Sequence, residues 1–433
     1  MRDLETIVED FLADHPCSAH RWLAYSGGLD STVLLHLLSR QGQLLQAVHV
    51  HHGLSANADA WSTHCAATTG AWGVPLREIR VCVDAADGGV EQGARNARYN
   101  AFAQLLESRD QLLMGHHADD QAETFLLRLM RGAGVEGLSA MPYSRALGAG
   151  LLLRPLLQVP RSQLLSYARR HRLQWIEDES NTELRFERNY LRQRVLPALN
   201  ARWPATQRIS VAASHLRESA QLLREVADAD LEVCGRRAER LGESVALAEL
   251  AALSAGRRNN LIRGWLHLAG AAPLTADQLA ELWRQLVEAA ADRSPVLEHG
   301  PVVFRRYRQR LYLTPQLPIA APADTQQLWN GRDALSLPGG GCLSPSPGWP
   351  PGDYMVRYRR GGERARPLGR QHSQALKKLL QEQGLEPWLR DRVPLVYEEE
   401  RLLAVGDLFL CQIPPCAKPP SAPPRWRWEA FFD

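Results

Sequence analysis

The chain is predicted to be an α/β protein whose amino-terminal domain is a doubly wound parallel sheet, followed by a helical domain and a small α+β carboxy-terminal domain. Three observations point there. Short apolar runs alternate with helical stretches of ten or more residues across 20–130, the pattern of βαβ units with both faces covered. From about Ala205 to Ala291 the sequence is Ala/Leu/Arg-rich and helical in period, without strand signals. The last stretch, about 353–433, mixes short strands with one helix. At 433 residues, two or three domains are expected, because single cores rarely grow beyond roughly 250–300 residues.

In order, Arg21–Tyr25 reads as a strand and Asp30–Leu38 as a helix. Leu44–Val50 is a second strand, with a helix near Ala58–Thr69. Leu76–Val83 is a third, followed by a helix over Glu91–Leu106. Gln111–Gly115 is a fourth, leading into a helix over Asp119–Arg131. Residues 151–200 look mostly helical and arginine-rich. This division gives segments 1–204, 205–314 and 353–433, with 315–352, dense in Pro and Gly, as a linker of turns.

Composition narrows the class. Apolar residues make up 45% and charged residues 23%, ordinary for a water-soluble globular chain. No apolar run is long enough to span a membrane and the start lacks a signal-peptide pattern, so no membrane partner is expected and the cytoplasm is the expected compartment. Seven scattered cysteines with no C-x-x-C pair indicate neither a disulfide framework nor a zinc ribbon. Net charge is only +3, yet basic residues outnumber acidic ones ten to four over Arg357–Arg392 and thirteen to six over Arg154–Arg224. Such focused charge suits a phosphate backbone, although a solvated helix face in an arginine-rich protein would look the same. The first 376 residues contain no lysine, which excludes a Walker-type phosphate lysine and a Schiff-base lysine there.

The loop Ser26-Gly27-Gly28-Leu29-Asp30-Ser31, between a strand and a helix, has the makings of a phosphate site. Glycines allow close backbone approach, and a helix start offers unpaired N–H groups. Asp30 would repel phosphate unless a cation lies between, which implies Mg²⁺. Ligands of open parallel sheets sit beyond the carboxyl ends of the strands. The second strand exits into His49-Val50-His51-His52-Gly53-Leu54 and the fourth into Gly115-His116-His117-Ala118-Asp119-Asp120-Gln121-Ala122-Glu123-Thr124, so both clusters share the loop's rim. Asp120 and Glu123, three apart, share a helix face and could hold an ammonium group. Arg95 and Arg98, beside Tyr99, could clamp phosphate or carboxylate. The His116–Asp120 cluster could equally hold two metal ions or merely decorate a helix start.

With Asp30 and no lysine, the loop resembles that of the PP-loop ATP pyrophosphatases, and the finer pattern resembles the tRNA(Ile)-lysidine synthetase family. The likeness is carried by the His49–Leu54 stretch, by Glu91-x-x-x-Arg95-x-x-Arg98-Tyr99, by His116–Thr124 and by Leu126–Gly134 continuing to Gly137-Leu138. Arg154-Pro155-Leu156-Leu157, Glu177-Asp178-Glu179-Ser180-Asn181 and Arg188-Asn189-Tyr190-Leu191-Arg192 extend it. It persists more weakly in Gly256-Arg257-Arg258-Asn259-Asn260, Arg360-Gly361-Gly362-Glu363 and Leu376-Lys377-Lys378-Leu379-Leu380.

The resemblance implies ATP as substrate with Mg²⁺, free lysine, and an isoleucine tRNA with a CAU anticodon; a homodimer is left open. It implies that Ser26, Gly27, Gly28, Leu29, Asp30, Ser31, His49 and His52 bind ATP, with Asp30 on the metal. Asp30, Asp119, Arg95 and Arg98 would serve catalysis, and Asp120 with Glu123 would bind lysine. Arg188, Arg192, Arg257, Arg258, Arg360, Lys377 and Lys378 would contact tRNA. A tRNA thiolase or a non-catalytic RNA-binding scaffold are the rival readings. Thiolase chemistry usually wants paired cysteines near the site, whereas Cys17, Cys65 and Cys82 are single.

Overall fold

A computed structural model describes residues 3–42, 45–83, 89–179, 183–287, 295–412 and 420–428. Ser180, Asn181, Cys416 and the side chain of Glu91 lie outside the described residues. The chain divides into two compact units, Met1–Leu222 and Leu223–Asp433.

The first unit begins with α1 (Leu4–Asp14) and then follows the expected alternation: β1 (Arg21–Ala24), α2 (Leu29–Arg40), β2 (Leu45–His51), α3 (Ala58–Ala71), β3 (Leu76–Arg80), α4 (Val90–Leu105), β4 (Gln111–Leu113) and α5 (Ala118–Met130). After the short α6 (Val135–Leu138) come β5 (Ser144–Leu147), β6 (Gly150–Leu153), α7 (Arg161–Arg170), α8 (Glu187–Tyr190), a π-helical turn at Leu191–Val195, α9 (Leu196–Arg202) and the long α10 (Ala205–Val233), which runs into the second unit. The sheet order is β3-β2-β1-β4-β6-β5, parallel except for β5, which pairs antiparallel to β6.

Period-2 alternation makes this sheet two-faced. Leu23, Ala47, Leu113 and Leu153 face one core with α1, α2 and α7. Their neighbours Trp22, Val48, Leu112 and Leu152 face the other with α4. The helical expectation for 151–200 needs correcting at its start, where Gly150–Leu153 is a strand. Its Gly-Leu-Leu-Leu run is buried towards its end and too short to show a period of its own.

The second unit contains a five-stranded antiparallel sheet, ordered Arg237–Ala238, Glu243–Ala246, Arg310–Pro315, Val302–Tyr307, Val296–His299. It shares a core with α11 (Leu247–Ala252), α12 (Ala255–Leu268) and α13 (Ala276–Leu282) around Trp265 and Phe304. Segment 205–314 is therefore helical with a sheet, not helical throughout. The strands escape sequence reading because two of them span only two and four residues between strong helical patterns.

The stretch 315–352, expected to be a linker, contributes Gln326–Trp329 to a five-stranded sheet with Tyr354–Arg357, Leu395–Glu398, Arg401–Val405 and Phe409–Leu410. Leu335–Ser336 and Cys342–Ser344 join Arg425–Arg427 in a smaller sheet. Pro and Gly mark the turns as expected, and strands of two to four residues fit between them. α14 (Leu376–Glu382) buries Leu376, Leu379 and Leu380 in this core. No helix among the described residues is long and apolar enough to cross a membrane.

Candidate active site

β1 delivers Tyr25 to the rim, and the chain folds back through Ser26–Gly28 into α2. Ser26 N–H donates to Ser31 Oγ at 3.3 Å, the two serine hydroxyls lie 3.1 Å apart, and Gly28 N–H donates to Ser26 Oγ at 3.3 Å. The loop is thus closed on itself by hydroxyls that a phosphate could also engage. Gly27 has φ +80°, and a Cβ there would lie 2.7 Å from Ile176 Cδ1 and 3.0 Å from Cys65 Sγ. Ile176 also donates its N–H to the Gly27 carbonyl at 2.9 Å. At Gly115 the neighbours are main chain: a Cβ would stand 3.0 Å from the Asp30 carbonyl and 3.1 Å from Ser31 N. The bare backbone just past β4 lets the first turn of α2 come this close without displacement. Leu29, the first residue of α2, is buried at 4% exposure and anchors the turn rather than presenting a ligand contact by its side chain.

His117 is the centre of the charged cluster. It caps α5, with Nδ1 accepting from Asp119 N–H at 3.2 Å, while its own N–H donates to Asp120 Oδ2 at 3.0 Å. Its ring lies 3.4 Å from Asp30 Oδ2, 3.5 Å from Asp120 Oδ2 and 3.6 Å from Asp119 Oδ2. Burial would hold this imidazole neutral, but Asp120, Asp119 and Asp30 outweigh it and raise its pKa well above the ordinary value. In the neutral ring Nδ1 accepts the cap and Nε2 carries the proton toward Asp30 and Asp120; in the charged ring both nitrogens carry a proton, and Nδ1 faces Asp119 Oδ2 at 3.6 Å. Asp120 is pulled to about 2: burial opposes ionisation, and the charges of His117 and Arg192 overcome it. Asp119, expected to be catalytic, also accepts from Arg161 N–H at 2.9 Å, tying α5 to the start of α7.

Glu123 is completely buried. Arg192, on the π-helical turn, grips it with Nε to Oε1 at 2.6 Å and Nη2 to Oε2 at 3.0 Å, and Nη2 also reaches Asp120 Oδ1 at 3.2 Å. Burial pushes the Glu123 carboxyl up, against the pull of Arg192. Removing one partner of a fully buried ion pair costs about 3–5 kcal/mol; Arg192 is 37% exposed, so the cost here is smaller. Arg192, expected among the tRNA contacts, therefore sits on the acidic pair.

The expected clamp lies beside this cluster. Arg95 stacks over Tyr99 at 4.9 Å, as does Arg145 at 5.0 Å. Burial lowers the Arg98 pKa, and its Nε is buried with no hydrogen-bond partner among the described residues. Arg154, missed as a site residue, donates Nε to His116 Nδ1 at 3.2 Å. Burial pushes His116 down to about 3, so it is neutral with its proton on Nε2. Arg188 donates to Thr124 Oγ1 at 3.0 Å, also on α5. On the other side of the loop, His49 is buried against the Tyr25 carbonyl at 3.0 Å and is kept neutral chiefly by burial. His52 is half-buried, its Nδ1 without a partner among the described residues, and its pKa is lowered by burial and by Arg98.

Two alternatives lose ground. Among the described residues no group of three or more His, Cys, Asp or Glu side chains is arranged to hold a metal ion by itself. Burial pushes the Cys65 thiol, the one against the loop, up to about 12, far from the reactive thiolate that sulfur transfer needs.

The basic residues expected on tRNA differ in the second unit. Arg257 is committed to the buried Asp230, with Nε to Oδ2 at 3.0 Å. Arg258 stacks on Trp283 at 5.2 Å. Arg360 donates Nε to the Ala323 carbonyl at 2.9 Å. Lys377 and Lys378 are exposed on α14.

Comparison with known proteins matches three stretches of the chain to family models. Residues 2–199 match a family model described as PP-loop domain, 246–312 one described as TilS substrate binding domain, and 354–428 one described as TilS substrate C-terminal domain. A tRNA(Ile)-lysidine synthase of Serratia proteamaculans is 44% identical, covering 94% of this chain and 95% of the relative. One from Pseudomonas aeruginosa is 45% identical over 89% of each, and one from Methylococcus capsulatus 42% over 90% of this chain and 92% of its own. The chain belongs to the tRNA(Ile)-lysidine synthase family.

Proposed function

We propose that both half-reactions of lysidine formation run on this one rim. The enzyme is an ATP-dependent ligase acting on isoleucine tRNA. The C2 oxygen of the wobble cytidine, in a CAU anticodon, attacks the α-phosphate of ATP and pyrophosphate leaves. Free lysine then attacks C2 through its ε-amine. The C2–O bond breaks, AMP departs with that oxygen, and the amine gives up a proton. Such steps ask for positioning and charge neutralisation more than covalent catalysis.

The observation that carries this reading is the chain of contacts Asp30–His117–Asp120–Arg192–Glu123, which links the phosphate loop to the acidic end of the same rim. Ser26, Gly27, Gly28, Ser31 and the α2 start form the phosphate cradle. Asp30 would hold Mg²⁺: its Oδ1 is buried with no hydrogen-bond partner among the described residues, and phosphates and water would complete the shell. Arg95 and Arg98 offer charge to the leaving pyrophosphate, and Arg98 has the unpaired buried donor for it. His49 and His52 flank the nucleotide. Lysine enters at the acidic end, by Asp120 and Glu123.

The test is to incubate the protein with ATP, Mg²⁺, labelled lysine and unmodified tRNA, then digest and weigh the nucleosides. A cytidine heavier by one lysine less one water is expected. Label at the tRNA 3′ end, or no lysine-dependent mass shift, would overturn the reading.

Segments 205–314 and 353–433 are proposed to grip the tRNA body. Of the basic residues named for this, Lys377 and Lys378 are exposed point charges suited to phosphate, whereas Arg257 serves Asp230. Replacing both lysines with alanine should weaken tRNA binding and shrink the slope of log K against log salt by about 1–2. An unchanged slope in a salt titration would remove them from the interface.

A further inference from the structure

We propose that the outer face of the three-stranded sheet Leu335–Ser336, Cys342–Ser344 and Arg425–Arg427 receives the unpaired 3′ end of the tRNA, with a base on Trp428 and the phosphates on Arg425 and Arg427. This rests on the reading that segment 353–433 meets tRNA. Cross-strand register sorts the sheet into two faces. Leu335, Leu343 and Trp426 lie in one row and pack in the core. Ser336, Cys342 and Arg427 form a row on the other face, and Ser344 beside Arg425 forms the next. That outer face carries two exposed arginines and no carboxylate.

Trp428 stands at the end of this face, one residue past the last strand. Its ring rests on the hairpin tip Gly340-Gly341, where a Cβ at Gly340 would overlap Cζ3 and Cη2 of the indole. Both glycines have positive φ, +95° and +85°, so the tip turns bare backbone toward the ring. Trp428, half-buried, also lines a cavity of about 510 Å³ together with Pro315, Pro318, Ser336, Cys342 and Arg427. None of the lining side chains is acidic, and the volume falls within the roughly 300–1,000 Å³ of ligand sites. Arg392 braces the two walls, donating Nη1 to the Gly339 carbonyl and Nη2 to the Pro318 carbonyl, each at 2.7 Å. Arg240, paired with Asp407, donates to the Trp426 carbonyl at 3.3 Å. The cavity is thus fixed before a ligand arrives.

An indole beside guanidinium groups on a strand face suits an unpaired nucleotide: the base stacks on the ring and the phosphates meet the arginines. A duplex offers phosphates but no base face, so it would leave both the ring and the cavity unused. Of the unpaired stretches of a tRNA, the anticodon loop is engaged at the catalytic rim, and the D and T loops are packed against each other. The 3′ end is the stretch left free for this site.

The experiment is a binding cycle on the full-length protein. Wild type and Trp428→Leu are each titrated with intact isoleucine tRNA and with the same tRNA lacking its unpaired 3′ nucleotides. Removing those nucleotides should weaken wild-type binding about 10-fold, the worth of about one stacked base. Trp428→Leu should lose about as much on the intact tRNA and stay within about 2-fold of wild type on the shortened one. Arg427→Gln, an exposed change, should show the same pattern, with a salt slope smaller by about 0.7 on the intact tRNA. It takes the place of Trp428→Leu in the cycle if that variant fails to fold. Wild-type affinity that ignores the 3′ truncation would overturn the proposal. So would a loss in Trp428→Leu that persists on the shortened tRNA, which would mark the indole as a structural prop. If truncation has no effect while replacing Lys377 and Lys378 does weaken binding, this face is refuted and the grip of the domain on tRNA stands. If neither change matters, both readings fall.

Discussion

Asp30→Asn should reduce tRNA-dependent pyrophosphate release by about 10²–10³-fold or more, leaving tRNA affinity unchanged. The change keeps the size of the side chain and removes its charge. In the structure that charge does two things. One carboxylate oxygen is buried without a hydrogen-bond partner among the described residues, the position a bridging cation would take. The other lies 3.4 Å from His117, so it also helps hold the imidazole that orders Asp120. An amide would offer a neutral oxygen to the cation and a poorer partner to His117. Pyrophosphate release from saturating ATP at several Mg²⁺ concentrations checks the first effect, and a filter-binding isotherm with tRNA the second. Wild-type turnover by the variant at any Mg²⁺ level would remove Asp30 from the chemistry.

Gly115→Ala should be nearly as damaging by a purely steric route. The added methyl would press on the Asp30 carbonyl and the Ser31 nitrogen, and both are main-chain atoms that cannot rotate away. Either β4 or the first turn of α2 must move by several tenths of an ångström. Overpacking of this kind costs about 1–3 kcal/mol of stability. Displacement of the phosphate loop by part of an ångström should cost about 10-fold in pyrophosphate release, since a full ångström costs about 10²-fold. Thermal unfolding and turnover, measured on the same preparation, separate the two losses. A variant of wild-type stability and rate would show that the loop and β4 absorb the added methyl without cost.

The parallel sheet was legible because its strands are short apolar runs between long amphipathic helices, and helix starts fell within a residue of expectation at Leu29 and Ala118. The convergence of Ser26–Ser31, His49, His52 and His116–Glu123 followed from strand direction alone. Contacts made by distant segments were not legible. Nothing in the spacing announces that Ile176 packs on Gly27, that Cys65 backs the loop or that Arg154 fixes His116. Arg192 was read as one basic residue among many, because a guanidinium destined for a buried glutamate looks like any other in sequence. The pairing of Arg257 was hidden for the same reason, its partner Asp230 lying twenty-seven positions away. In the second unit Arg237–Ala238 and Glu243–Ala246 were too short, between helical patterns, for a period of two to register.

The sheet's outer margins bear on how the protein avoids sticking to copies of itself. β3 forms one margin, and its Arg77, Glu78 and Arg80 are interleaved with Leu76 and Ile79. Glu78 and Arg80 are paired at 2.8 Å, so the margin presents fixed charge on a strand of only five residues. The opposite margin, β5, is four residues long and carries Arg145. A foreign strand seeking backbone hydrogen bonds would have to desolvate these charges for very few bonds. An apolar substitution at Arg77 or Arg80 would create an exposed, β-prone run beside Ile79, and the cost would appear as aggregation during expression rather than as lost catalysis.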